Sequence, residues 1–137
     1  MKNRTAFLLF ILLIWSCATQ PKSQLQTLQG TWIPVRQEFQ GNDVPPSYYA
    51  NQSLTIKDST YVVKAEDTDK GIIRVNGNTM DIIGKEGPNT DLHFKALYKI
   101  ENEHLIIIYE LSGSGYPSEF ITKDFPTRYL IEFKRKE

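Results

Sequence analysis

Apolar residues recur at every second position in eight short runs, and a turn signal closes most of these runs. That period belongs to strands with one dry and one wet face. Asn76-Gly77-Asn78 stands between the runs Gly71–Val75 and Thr79–Gly84. An Asn-Gly pair in that place suits the left-handed backbone of a tight hairpin. Asp58-Ser59 separates Leu54–Lys57 from Thr60–Glu66, and Glu101-Asn102-Glu103 separates Leu92–Ile100 from His104–Leu111. The first run is Thr31–Gln40, ended by Gly41-Asn42-Asp43, and the last is Thr127–Arg135. Val44–Asn51, with Pro45-Pro46, reads as a loop or short helical turn capping one end. Beyond Gly30 no apolar pattern has helical spacing, and no gap would hold a crossover helix. We therefore expect an all-β fold: an eight-stranded antiparallel meander with a short N-terminal helical turn. Closing such a meander into a barrel removes its exposed edges, and eight strands leave room for side chains or one small ligand.

The alternation assigns faces. Leu92, Phe94, Ala96, Tyr98 and Ile100 share one side of the sixth run, with His93, Lys95 and Lys99 opposite. Tyr129, Ile131 and Phe133 share one side of the eighth. The seventh run, Leu105–Tyr109, is apolar on both sides, so its outside needs a cover. The helical turn over Gln24–Gln29, with Leu25 and Leu28 on one side, is the cover we expect. Phe94, Tyr98, Tyr109, Tyr129 and Phe133 form the expected interior set, as a ligand-lining wall or as filled core, the commoner role of an aromatic stripe.

The N-terminus is organised differently. Lys2 and Arg4 precede the unbroken apolar run Ala6–Trp15, and the chain's one cysteine follows at Cys17. That order is the order of a secretory signal, and the run is too short to span a bilayer, which takes about 20 helical residues. Ile14-Trp15-Ser16-Cys17 resembles the lipobox of bacterial lipoproteins. The resemblance implies acylation of the Cys17 thiol and cleavage just before it. Residues 1–16 then form a signal peptide, 17–27 a lipidated cysteine and polar tether, and 28–137 the folded domain. The lone cysteine gains a role as membrane anchor. Removing 1–16 takes Lys2 and Arg4 from the 16 basic residues and none of the 16 acidic ones, leaving 14 against 16 and a net charge of −2. Such a surface gives no case for nucleic acid, and no protein partner is named by the sequence. Ala18 is not the aspartate that retains lipoproteins at the inner membrane in enterobacteria. The expected location is the cell envelope, at the outer membrane of a diderm bacterium.

Gly30-Thr31-Trp32, opening the first strand ahead of an eight-strand meander and a late basic residue, resembles the lipocalin and calycin barrels. In those folds the tryptophan packs across the closed end and an arginine from the last strand lies over it. The resemblance implies that Gly30, Trp32 and Arg135 close the barrel, with Lys134 and Lys136 as fallbacks. A family of small bacterial lipocalin-like domains is closer still. It opens with Leu-x-Gly-x-Trp, Glu and Gly-x-x-Val-Pro, matched by Leu28–Trp32, Glu38 and Gly41–Pro45. Its later Arg-Pro-Thr/Ser-Glu/Asp-Phe box is matched by Pro117-Ser118-Glu119-Phe120, with Tyr116 in place of the arginine. The likeness spans roughly residues 28–135 and implies a fold more than an activity.

Little chemistry converges. His93 and His104 both point away from the dry face, and pairing Ile100 with His104 keeps the two histidines apart, so no metal site is expected. Nucleophile elbows, zinc-helix motifs and phosphate loops are absent from the sequence. Asp67–Gly71 reads as a solvated hairpin turn rather than a calcium loop, and Ser112–Gly115 as a rim loop. Glu119 either lines the barrel mouth or accepts from backbone amides or Arg128. Tyr48, Tyr49 and Tyr116 complete the expected rim. No cofactor and no enzymatic activity are expected. The reading is a lipid-anchored barrel binding a small, partly apolar molecule; the alternative is a solid-cored envelope module that binds a protein through its rim.

Overall fold

A computed structural model of the chain describes residues 23–137, so the expected signal, Cys17 and most of the expected tether lie outside the described residues. A short helix, α1 (Gln24–Leu28), leads into β1 (Gly30–Phe39). After β1 come a short added strand, β2 (Asn42–Asp43), and a 3-10 turn at Pro46–Tyr48. The other strands are β3 (Ser53–Lys57), β4 (Thr60–Lys64), β5 (Thr68–Asn76), β6 (Thr79–Glu86), β7 (His93–Glu101), β8 (His104–Glu110) and β9 (Arg128–Arg135). Each of β3 to β9 pairs antiparallel with the next, and β1 pairs with both β3 and β9. The expected barrel of eight strands is therefore closed, with β2 as an addition on the edge of β1.

One end is built from tight turns. Asn102 and Glu103 both have positive φ, at 50° and 66°, in the two-residue hairpin loop between β7 and β8. The pairing across it is Ile100 with Leu105 and Glu101 with His104, one residue off the expected register. Across this end lies α1. Leu28 is fully buried in the interior cluster with Trp32, and Leu25 packs against that cluster. The Trp32 indole N–H donates to the Leu28 carbonyl at 2.9 Å. The Arg135 guanidinium lies 4.1 Å over the indole and donates to the carbonyls of Thr27 and Gln29. Gly30 has φ +118°, and a Cβ there would come within 3.0 Å of that guanidinium. The glycine is needed for backbone and space together.

Leu25 and Leu28 thus plug the barrel end and do not cover the outside of β8, as the alternation had suggested. That outer surface carries its own small core of Leu97, Ile108 and Leu130, covered by Phe120 from the long connection between β8 and β9. Lys99 lies 5.0 Å over the Phe120 ring. Two polar groups help to hold the connection. Thr122, fully buried, donates its hydroxyl to Glu38 and accepts from the Gly41 amide at 2.9 Å. At its roots, Glu110 accepts from the Ser112 hydroxyl at 2.7 Å and faces Arg128 at 3.7 Å. Residues far apart in sequence therefore meet at one strap: Glu38 and Gly41 on one side, the segment from Pro117 to Thr122 on the other.

Burial alone would raise the Glu110 carboxyl, but hydrogen bonds from Thr127 and Ser112, with the charge of Arg128, hold it below its ordinary value of 4.5. A depressed folded pKa stabilises the fold above the unfolded pKa, and that share is lost as pH falls through the folded value. Glu110→Gln should flatten the loss of stability below pH about 4.5 relative to the parent, read as urea midpoints between about pH 3 and 6.

Candidate functional site: a cavity at the open end

At the end opposite α1, four segments longer than the tight hairpin turns surround the barrel mouth: residues 40–52, 65–67, 87–92 and 111–127. Beneath them the interior holds a cavity of about 220 Å³. Its walls are mostly aliphatic and aromatic, with Ile73, Ile82, Ile107 and Ile131 among the aliphatic groups and Tyr61, Phe94, Tyr109 and Tyr129 supplying rings. A dry cavity of about 150 Å³ holds benzene, so this one takes a ring with a short substituent and is too small for most drug-sized molecules.

Two irregularities in the strands shape it. In β1, Pro34 cannot donate to a ladder, and Val35 is bulged out between Pro34 and Arg36 in the pairing with β9. The bulge reverses which side faces in: Trp32 and Pro34 are buried before it, Gln37 after it. Gln37 accepts from the Tyr129 hydroxyl at 2.6 Å and donates to the Gln52 side chain at 2.9 Å. On the facing wall Gly71 lies opposite Tyr61. A Cβ on Gly71 would stand 2.7 Å from the Tyr61 ring and 2.0 Å from the Ile83 carbonyl oxygen, so only glycine fits. The ring crosses this space, and the Tyr61 hydroxyl reaches Asp69 at 2.7 Å.

Asp69 is the polar centre of the cavity. It is buried, in strand β5, and also accepts from the Asn89 backbone and side-chain amides at 2.9 and 3.1 Å. The solvated turn expected over Asp67–Gly71 is thus confined to residues 65–67, and Thr68–Gly71 is strand. Burial, followed by the hydrogen bond to Asp69, pushes the Tyr61 phenol up from its ordinary value. Tyr109 is shifted upward as well, by burial and by the neighbouring Tyr129. Its hydroxyl has no hydrogen-bond partner among the described residues, although it lines the cavity. The lining residues include one carboxylate and no lysine, arginine or histidine.

The expected interior set divides. Phe94, Tyr109 and Tyr129 line the cavity. Tyr98 and Phe133 belong to the interior cluster but not to the cavity wall, and the Tyr98 hydroxyl donates to the Gly77 carbonyl at the closed end. Leu92 and Ile100, at the strand ends, are exposed. The expected rim disperses further. Tyr48 is exposed, whereas Tyr49 is buried beside β1 and bonds the Val35 carbonyl at 3.3 Å. Tyr116 lies on the outer wall, bonded to Asp81 at 2.8 Å with Lys95 over its ring. Glu119 is exposed, and the carboxylate facing Arg128 is Glu110. The histidines are apart and outside, His93 on Asp81 and His104 on Glu132, each at 2.6 Å. Among the described residues no three histidine, cysteine or acidic side chains cluster as a metal site would require.

A second hollow, bordered by Trp32, Tyr98 and Arg135, sits beside the helix. The donors of Trp32, Tyr98 and Arg135 are already bonded to backbone carbonyls, which makes it the seam where α1 docks. Sequence reasoning missed Tyr61, Asp69, Asn89 and Gln37. An acid and an amide on otherwise apolar, inward-facing strand positions would have flagged Asp69 and Gln37, had the bulge and the strand start been known. No protein-family model, curated protein or solved structure compared with the chain matches it.

The two phenols should respond differently to loss of the hydroxyl. Tyr61→Phe leaves Asp69 short of a donor and should cost about 1–3 kcal/mol, whereas Tyr109→Phe removes an unbonded group and should change stability by less than about 0.5 kcal/mol. Urea unfolding of the two variants checks both.

Proposed function

We propose that this chain is the precursor of a lipid-anchored, extracytoplasmic lipocalin-like protein that binds one small, partly apolar molecule non-covalently. The observation that carries the binding reading is the cavity itself. An interior packed only for stability closes such space, because a void forfeits dispersion contacts. Here about 220 Å³ is left open at the mouth, walled by rings and aliphatic groups. The unbonded Tyr109 hydroxyl and the Tyr61–Asp69–Asn89 group give this apolar wall the few fixed polar points that orient a ligand. The closed end, with Trp32 under Arg135, supports the kinship to lipocalin barrels that the Gly-x-Trp opening implies. The anchor rests on the basic start, the apolar run and Cys17.

Toluene, a neutral probe of suitable size, should shift the NMR signals of methyl groups on Ile82, Ile107 and Ile131 in the wild-type domain. Ile107→Trp, which fills the cavity, should abolish those shifts while the Trp32 environment, read by near-ultraviolet circular dichroism, is retained. Absence of shifts in the wild type would contradict the reading. For the anchor, Cys17→Ser should move the protein from the membrane to the soluble fraction and remove acyl mass from its N-terminal peptide; unchanged membrane attachment would refute lipidation.

A further inference from the structure

We infer that the cavity selects a small organic cation, an aromatic or aliphatic amine protonated at neutral pH; this rests on the proposed binding role and names the ligand class. The first ground is the charge of the wall. Asp69 lines the cavity as its one ionisable carboxylate, and no lysine, arginine or histidine lines it. A buried carboxylate is ordinarily paired with a cation or fully hydrogen-bonded. Asp69 has three neutral donors, the Tyr61 hydroxyl and the two Asn89 amides. A carboxylate offers about four acceptor sites, so three donors leave about one unfilled among the described residues.

The second ground is the set of aromatic faces. Tyr61, Phe94, Tyr109 and Tyr129 surround the same space, and π faces attract an ammonium group while they repel an anion. The Tyr109 hydroxyl oxygen, unbonded among the described residues, adds an acceptor. An anionic ligand such as a fatty acid would meet a like charge and no cation, and the cavity's size also argues against a long chain.

A third, independent ground is the mouth. The four segments around it carry Asp43, Glu66, Asp67, Asp91 and Asp124 against the single base Lys123, with Asp43 paired to Arg36 of β1 and Glu119 set apart on the strap over β8. Carboxylates around a cleft raise the local concentration of cations and speed their entry. The described residues 23–137 carry 16 acidic against 13 basic side chains, and the mouth segments alone account for that excess.

Three matched probes separate the ligand class from the binding role: phenethylamine, phenethyl alcohol and hydrocinnamate, titrated into the wild-type domain by calorimetry at neutral pH. Phenethylamine should bind roughly tenfold or more tightly than the alcohol, with hydrocinnamate weakest. Asp69→Asn should bring the amine to within about twofold of the alcohol. If the alcohol binds as tightly as the amine, or hydrocinnamate binds best, the cation inference falls and the binding role stands. If none of the three binds, both fall. The wild-type comparison decides the matter even if Asp69→Asn does not fold.

Discussion

The structure depends on the seam between its first and last strands. The β1–β9 pairing runs from Trp32 opposite Arg135 to Phe39 opposite Tyr129 and turns an open sheet into a barrel. Closing so long a loop of chain is entropically costly, and the seam offsets this with more than ladder hydrogen bonds. Arg135 acts on three elements at once. It pairs in β9, lies on the Trp32 indole of β1 and holds the Thr27 and Gln29 carbonyls at the C-terminal end of α1. Through those contacts the helix is locked across the end, and Leu28 seals the interior from below. Removing the clamp would expose two strand edges and a row of apolar side chains together.

With one end sealed by a plug and two-residue turns, variation is confined to the other. The mouth carries the long connections, the added strand and the strap that ties Thr122 to Glu38 and Gly41. The same strap shields the apolar outer face of β8 through Phe120. Tight turns thus fix one end of the walls, and the irregular connections form the other. The cavity follows from that division, together with the Val35 bulge and the absent side chain at Gly71.

Much of this was legible in the sequence, and the boundary of legibility is physical. Period-two alternation and tight-turn residues report local backbone geometry, so the eight strands and most hairpins could be read directly. The pairing of Trp32 with Arg135 could be anticipated because the resemblance to lipocalin barrels supplies the partner. Three features could not. The bulge at Val35 reverses the alternation within one strand, so an unbroken alternation from Trp32 would put Gln37 on the outside. Asp69 sits in strand because its neighbours pair with β4 and β6, which overrides the turn-forming character of Asp67–Gly71. The cover over β8 comes from a connection without any periodic pattern, and only tertiary structure shows that Phe120 supplies it. Tyr116 fell on the outer wall for the same reason, since nothing local records which side of a loop faces the barrel.

The central claim is that the space beneath the mouth is occupied in the organism. Native mass spectrometry of the protein purified gently from its own organism tests this most directly. The account predicts one small molecule per chain, seen as added mass beyond the lipid anchor, released on unfolding and missing from Ile107→Trp. A wild-type protein carrying only its covalent lipid, with the same mass before and after unfolding, would contradict it.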